Sequence, residues 1–437
     1  MSHSTSFSLI SLGCARSLVD SEKMVQKLHG SGFRLVNEGT GEPITILNTC
    51  SFIQSAIDET EDNIRSLIHR KRQGRIQYLV VSGCYPSRFK LPQLEARFPE
   101  VDLWLTTLQE EAVHQKISEM VFKRRFAPKS SMPYVKLTPT HYAYLKISEG
   151  CNNWCSFCTI PKIRGEHKSK PLEDLLAEAQ IQLNLGVKEL ILIAEDTTAW
   201  GEDIYGKPSL PLLLTELSKL SAPWIRLMYI FPSRVNDELI RVVKNTPTIC
   251  NYLDMPVQHV NSEILKQMRR RHDKAYLETL IQDMKREIPD LALRTTFILG
   301  FPGETQEHVH ELLEFIERVP FDHLGCFAYS EERETLSYRF ENKVDTSVTR
   351  KRIQSVMEKQ FNIIAQQNKF QIGKTYECLY EGNGVGRTYR EAPDVDGRIV
   401  LDETGLKAGE FYSVTITDAK GYDLQGQARV IAPTTRP

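Results

Sequence analysis

The residues best suited to chemistry are six of the nine cysteines in this 437-residue chain. Three of them stand in one short loop, EGCNNWCSFCTIP: Cys151, Cys155 and Cys158. A structural zinc site usually takes four protein ligands from two short pairs. An iron–sulfur cubane takes one thiolate per iron, so three thiolates leave one iron open to a non-protein ligand. The loop therefore indicates iron–sulfur chemistry, while His167 could complete a zinc site and keeps zinc as an alternative.

Three further cysteines each follow an apolar, strand-like run. The runs FSLISLG, ITILNT and YLVVSG end directly before Cys14, Cys50 and Cys84. Because parallel strands end at the same edge of a sheet, these thiols can converge in space. We predict a second three-cysteine cluster, with three unrelated buried cysteines as the alternative. The other cysteines stand alone among apolar or strand-forming neighbours and are interpreted as buried side chains: Cys250, Cys326 and Cys378.

The elements that must position these cysteines form a multidomain α/β chain. Strands alternate with helical patterns over residues 1–120, which predicts a parallel α/β sheet domain. Residues 121–139 have no regular period and read as a linker. Residues 140–370 show six apolar strands with helices between them and an exit helix, which predicts a partial (β/α)6 TIM-like barrel, open on one side. Short strands and frequent glycines over residues 371–437 predict a small OB-like β-barrel.

The overall composition excludes several classes of protein. A chain of 437 residues is too long for one hydrophobic core. The net charge of −1 gives no global basic field for nucleic acid. No run of about eighteen apolar residues is present, and the polar start is unlike a signal peptide. We therefore predict a cytoplasmic protein without membrane contact.

The cysteine loop and two later segments resemble the motifs of a known superfamily. The cysteine loop after a barrel's first strand, with Phe157 before its last cysteine, resembles the radical S-adenosylmethionine (SAM) superfamily. The resemblance implies a 4Fe-4S cluster whose open iron binds SAM, and an electron that cleaves SAM to a 5′-deoxyadenosyl radical. The segments LIAED and TTFILGFPGE are similar to the superfamily's acidic and glycine motifs. The cofactor-binding residues predicted from these motifs are Phe157, Glu195, Asp196 and Gly300, and Gln258 is added because it follows the fourth barrel strand.

The three units together resemble the methylthiotransferases over essentially the whole chain, with a TRAM domain at the end. The resemblance implies two 4Fe-4S clusters, the first on Cys14, Cys50 and Cys84, and two SAM molecules. One SAM would methylate a sulfur held at the first cluster. The other would yield the radical that abstracts hydrogen from the substrate. A flavodoxin- or ferredoxin-like electron donor and a monomeric state are further expectations.

The stretches SLGCARSLVDSE, YLKISEGCNNWCSFCTIPKIRG and VGRTYREAPDVDG resemble the branch of the family that modifies the β-carbon of an aspartate in ribosomal protein uS12. The chain departs from that branch at two places. Arg16-Ser17 stand where Lys-Asn is usual, and Glu195 stands where Gln is usual.

Charge points to the same substrate. Residues 371–437 hold eight Lys and Arg against ten Asp and Glu, whereas a tRNA-gripping domain should be basic. We predict an acidic surface that docks a basic ribosomal protein, with Asp394 and Asp396 in it. The alternatives are a tRNA adenosine methylthiotransferase and a non-catalytic zinc- or RNA-binding protein. The basic run at 269–274, RRRHDK, is interpreted as a solvated helix end.

Overall fold

The computed structural model describes residues 5–40, 42–124, 134–402 and 405–429. Two parts of the sequence predictions lie outside the described residues: residues 125–133 of the linker and residues 430–437 at the end of the third unit. Within the ranges that are described, none of the helices combines the length and the apolar character needed to cross a membrane.

The first unit is a parallel α/β sheet domain, as predicted, and its helices lie on both faces of the sheet. Its elements are β1 (Ser6–Ser11), α1 (Ala15–Gly30), β2 (Arg34–Leu35), β3 (Ile44–Thr49), α2 (Gln54–Arg72), β4 (Tyr78–Gly83), α3 (Cys84–Arg88), α4 (Leu91–Arg97), β5 (Leu103–Thr106) and α5 (Val113–Phe122). The strand order is β2-β1-β3-β4-β5. Strand β3 lies at the centre and is buried along its whole length, because apolar clusters cover both faces of the sheet. This accounts for its continuous apolar sequence.

The second unit contains the six predicted barrel strands. Its elements are β6 (Tyr142–Lys146), β7 (Ser148–Glu149), α6 (Ile160–Arg164), β8 (Lys168–Ser169), α7 (Leu172–Asn184), β9 (Glu189–Ile193), α8 (Glu202–Tyr205), α9 (Leu210–Ser218), β10 (Trp224–Leu227), α10 (Asp237–Asn245), β11 (Ile249–Asp254), α11 (Ser262–Gln267), α12 (Lys274–Glu287), β12 (Ala292–Leu299), α13 (Gln306–Arg318), β13 (His323–Ala328) and α14 (Thr346–Lys369). The large strands pair in parallel in the order β6-β9-β10-β11-β12-β13, and β6 and β13 remain edges. The sheet is therefore an open, partial barrel, as predicted.

The third unit is a small closed barrel of five strands, in agreement with the sequence prediction. The strands are β14 (Thr375–Gly382), β15 (Val385–Arg387), β16 (Ile399–Leu401), β17 (Phe411–Lys420) and β18 (Asp423–Arg429). Their order around the barrel is β14-β15-β16-β18-β17. The β16–β18 pair is parallel and the other pairs are antiparallel.

Buried ion pairs fasten this small barrel to the amino ends of the second unit's strands. Glu189, the first residue of β9, accepts hydrogen bonds from Arg226 at 2.5 Å and from Arg387 of the third unit at 2.7 Å. Glu381 accepts from Arg387 and contacts His141 at 3.0 Å. The third unit thus packs at the end of the partial barrel opposite to the strands' carboxyl ends.

Asp396 belongs to the same interface, and its predicted docking role is wrong. Its carboxylate accepts hydrogen bonds from the Tyr252 hydroxyl and the Ala392 amide, lies 3.2 Å from the Arg294 guanidinium, and is 1% exposed. A buried, paired carboxylate cannot meet the surface of a partner protein. Asp394 is exposed, and its docking role stays a prediction.

The Glu381 carboxylate gives a test of this interface. Burial raises its pKa, but the hydrogen bond from His141 and the charge of Arg387 outweigh burial and lower the pKa to about 2. Glu381→Gln should therefore reduce the free energy of unfolding by about 1–3 kcal/mol at pH 7. A carboxylate with a lowered pKa stabilises the fold fully above its unfolded pKa of about 4.5, and this contribution disappears as the pH falls toward about 2.

The loss caused by Glu381→Gln should consequently shrink as the pH falls below about 4.5. Urea unfolding midpoints at neutral and acidic pH measure it, with the exposed Asp402→Asn as the control. An equal loss at both pH values would contradict the assignment.

Candidate functional site

The three cysteines of the first unit lie together at the carboxyl edge of its sheet. Cys14 directly precedes α1, Cys50 directly follows β3, and Cys84 directly follows β4. A Cβ atom on Gly13, which has φ +97°, would stand 2.8 Å from Cys50 Cβ and 3.3 Å from its sulfur. Only glycine fits so close an approach in that conformation. The three cysteines thus stand at the same edge of the sheet, and their role as ligands of one shared cluster stays a prediction.

The second cysteine group lies in a loop that is anchored at several points. The Cys151 amide donates to the Gly165 carbonyl at 3.2 Å, and the Ser156 amide donates to the Met268 carbonyl at 3.1 Å. The Phe157 ring packs against an apolar cluster that includes Met268. The structure thus gives Phe157 an anchoring role, and its contact with a cofactor stays a prediction.

Burial controls the protonation of most of these thiols. It is the largest cause that raises the pKa of Cys84 to about 12 and that of Cys151 to about 12, and it also raises the pKa of Cys158. Cys14 differs: burial raises its pKa too, but the charges of Arg16 and Arg164 and the backbone amides of Arg16 and Ser17 together outweigh burial and lower the pKa to about 7. Thiols kept neutral by burial release their protons when a metal binds.

The donor sets fit iron–sulfur clusters better than single zinc ions. Each group offers three thiolates, which is one fewer than a closed tetrahedral site needs. In the described part of the chain, no three Cys, His, Asp or Glu side chains are arranged around one metal ion. The thiolates of a cubane each bind a different iron and so do not share one centre. Among the described residues, His167 is not arranged with the cysteines around one metal position, so the zinc alternative has no support.

One buried arginine contacts a cysteine sulfur in each group. Arg164 Nη2 donates to Cys84 Sγ at 3.4 Å, and Arg270 Nη1 donates to Cys155 Sγ at 3.5 Å. The Arg270 guanidinium also lies 4.0 Å from the centroid of the Phe231 ring. Arg270 is buried, so the interpretation of residues 269–274 as a solvated helix end is wrong at this position. Sequence reasoning missed both arginines, since neither has a spacing that relates it to the cysteines.

Four charged side chains join the first and second units, and we call them the interdomain charge cluster: the buried Asp20, Lys146 and Arg164, and the half-buried Glu149. Arg164 Nη1 lies 3.1 Å from Asp20 Oδ2 and 2.6 Å from Glu149 Oε1. Lys146 contacts the same two carboxylates. Burial raises the pKa of Asp20, but Lys146 and Arg164 outweigh it and lower the pKa to about 2. The two units are therefore held together by ionised groups beside the cysteines.

The two departures from the usual family sequence contact each other. Arg16 Nε lies 3.5 Å from Glu195 Oε1, and Arg16 Nη1 donates to the Ala194 carbonyl at 2.9 Å. Arg164 Nε lies 3.7 Å from the same Glu195 oxygen. Neither Glu195 oxygen accepts a hydrogen bond from any residue that the structure describes, although both are buried. Glu195 is thus a buried carboxylate with free acceptor capacity between two arginines.

Asp196 positions the cysteine loop. Its carboxylate accepts hydrogen bonds from Asn153 Nδ2 at 2.7 Å and from Arg234 Nη1 at 2.8 Å. Arg234 also donates to Asn153 Oδ1 at 2.6 Å. Since Asn153 stands between Cys151 and Cys155, this triangle holds the loop against the end of β9.

Gln258 and Gly300 lie at the carboxyl ends of β11 and β12. Gln258 has φ +73°, and its amide and carbonyl bond to the adjoining strand β12. The Gly300 amide donates to the Glu304 carboxylate, and a Cβ at Gly300 would stand 2.2 Å from the Thr349 hydroxyl. The structure therefore gives Gly300 a packing role, and cofactor contacts by either residue stay predictions.

Comparisons with known proteins follow the same division of the chain. Residues 6–106 match the uncharacterized protein family UPF0004, residues 145–316 match the radical SAM superfamily, and residues 372–428 match the TRAM domain. The ribosomal protein uS12 methylthiotransferase RimO of Citrifermentans bemidjiense is 40% identical, with 96% of this chain and 97% of the relative covered. The RimO protein of Lachnoclostridium phytofermentans is 41% identical, with 96% and 99% covered.

The chain belongs to the RimO family of methylthiotransferases. The sequence-based assignment is thereby confirmed. Solved structures resemble this RimO-family chain in fold alone. The radical SAM methyltransferase TsrM from Kitasatospora setae, with cobalamin and a 4Fe-4S cluster bound, has a TM-score of 0.56, 12% identity and coverage of 93% and 80%. The cobalamin-dependent SAM radical enzyme OxsB has a TM-score of 0.52, 14% identity and coverage of 83% and 58%.

Iron content tests the cysteine assignment. Anaerobically reconstituted protein should hold about eight irons per chain, and Cys84→Ala should hold about four, because one cubane loses a ligand. Cys250→Ala removes a thiol that is equally buried but lies in the apolar core, and it should retain about eight. Full iron content in Cys84→Ala would refute the assignment.

A double-mutant cycle tests the contact between Arg16 and Glu195. The combined loss of stability in Arg16→Gln with Glu195→Gln should be smaller than the sum of the single losses by about 0.5–3 kcal/mol, because the second change removes a partner already lost. Arg16→Gln combined with the remote Glu381→Gln should be additive within about 0.5 kcal/mol. Additivity in the first pair would contradict the coupling.

Proposed function

We propose that this chain is a radical SAM methylthiotransferase that adds a methylthio group to an aspartate β-carbon of ribosomal protein uS12. Membership of the RimO family supports the reaction and the substrate protein. The observation that carries the proposal is the pair of three-cysteine groups on either side of one interface, bridged by the contact between Arg164 and Cys84. The proposed reaction needs one cluster to generate a radical and another to supply sulfur. Two clusters, each with one open iron, meet both needs.

The residues that would hold the two 4Fe-4S clusters are the six cysteines of the two groups. When bound, the cluster on Cys151, Cys155 and Cys158 supplies the radical chemistry of SAM, and the one on Cys14, Cys50 and Cys84 supplies a site for the transferred sulfur. Glu195 has the free acceptor capacity to bind the ammonium group of SAM. Asp196 and Asn153 hold the loop that carries the second group.

Access to the site supports entry of a protein segment between the first two units. The third unit packs at the amino ends of the barrel strands, which leaves the carboxyl ends as the route of entry. Trp154, beside Cys155, is 51% exposed, and Phe52, close to Cys50, is 39% exposed. The Thr159 hydroxyl donates to the Phe52 carbonyl at 3.1 Å, which places Phe52 at the interface with the second unit, while Trp154 stands in the cysteine loop itself. They offer apolar contacts for a substrate loop.

The charge of the third unit adds little to the choice of substrate. Its net negative charge includes carboxylates that arginines hold at the interface, such as Glu381 and Asp396. The uS12 assignment therefore depends on the family and not on an acidic docking surface. A flavodoxin- or ferredoxin-like electron donor, a monomeric state and a cytoplasmic location complete the proposal.

Mass spectrometry of the two candidate substrates tests the function. Reconstituted protein with SAM, inorganic sulfide as the sulfur source and a chemical reductant should replace one hydrogen of the uS12 aspartate with a methylthio group, a mass gain of one methylthio group less one hydrogen, and should leave tRNA unchanged. Cys151→Ala should abolish the product, since it removes a ligand of the SAM-binding cluster, while Cys250→Ala should retain it. A methylthio group on tRNA adenosine, with none on uS12, would overturn the proposal in favour of the tRNA-modifying alternative.

A further inference from the structure

We propose that Arg164 is a positioning residue by which the second unit sets the reduction potential of the first unit's cluster. The inference deepens the proposed function, because it rests on a cluster at Cys14, Cys50 and Cys84. Arg164 belongs to the partial barrel, whereas Cys84 belongs to the first unit. Arg164 Nη2 lies 3.4 Å from Cys84 Sγ.

The guanidinium divides its donors between two kinds of partner. Nη1 contacts the carboxylates of Asp20 and Glu149, whereas Nη2 is directed at the Cys84 sulfur. The side chain is 2% exposed, so bulk solvent does not reach this contact in the folded protein. The two carboxylates hold the planar fork in place, and this fixes the orientation of Nη2.

The position of Arg164 in the chain links it to the second cysteine group as well. It is the last residue of α6, the short helix that begins two residues after Cys158. The Gly165 carbonyl, which follows it, accepts the hydrogen bond from the Cys151 amide. The donor to Cys84 and the loop of the second cysteine group are therefore connected through one backbone hydrogen bond.

The expected effect follows from electrostatics. One-electron reduction adds negative charge to a cluster, and a cationic donor on a ligand sulfur stabilises that state. Hydrogen bonds to the sulfurs are among the factors that set such potentials. Removal of the guanidinium should consequently make the potential of the first cluster more negative.

The test uses a background in which Cys151, Cys155 and Cys158 are all alanine, so that only the first cluster is present. In that background, Arg164→Gln should lower the midpoint potential, measured by a redox titration followed by electron paramagnetic resonance. Asp20→Asn is the matched control, because it disturbs the same interdomain charge cluster while Glu149, the closer of the two carboxylates, still holds Nη1 and Nη2 keeps its contact with the sulfur. It should reduce thermal stability but should not lower the potential.

A second variant keeps the test decisive if Arg164→Gln does not fold. Lysine retains the charge but is too short to reach both the carboxylates and the sulfur, so Arg164→Lys should also lower the potential, by less. An unchanged potential in the folded variants, or an equal decrease in Asp20→Asn, would overturn the inference and leave the proposed function intact. A background protein without about four irons would instead refute the cluster assignment itself, and the inference with it.

Discussion

The interdomain charge cluster is the interaction on which the rest of the site depends. Asp20 comes from the first unit, while Lys146 and Arg164 come from the second, and all three are buried. Removal of one partner from such a buried pair typically costs about 3–5 kcal/mol, because an uncompensated charge is left behind. Together with the pairs that Arg88 forms with Glu332 and Glu334, the cluster holds the two units, and with them the two cysteine groups, in place.

A second constraint is the direction of the strands. Both large sheets are parallel, so their strands deliver residues to a single edge, and that edge carries the cysteines in each unit. The opposite ends of the barrel strands are occupied by the third unit, whose Arg387 reaches Glu189. The contacts that stabilise the barrel and the residues of the candidate site thus lie at opposite ends of the barrel axis. The amino ends supply stability, and the carboxyl ends supply the site.

Much of the architecture could be predicted from sequence, because it depends on local patterns. Continuous apolar runs indicated buried parallel strands, as β3 shows. The spacing of Cys151, Cys155 and Cys158 indicated one cluster, since a loop places close neighbours together without help from the fold. The repeated order of strand and then cysteine indicated the other cluster. The docking role predicted for Asp396 was wrong, because the exposure of a side chain in a loop depends on what packs over that loop. The composition of the sequence does not reveal this packing.

The sequence by itself determined the family, the three units and the six thiols. Only the tertiary structure decided which charges surround those thiols. Arg164 meets Cys84, and Arg16 meets Glu195, across interfaces between residues far apart in the chain. Such contacts produce no periodic pattern in the sequence, because a buried ion pair involves only one residue from each of two distant segments. The environment of the cysteines, unlike their identity, is therefore a property of the folded chain.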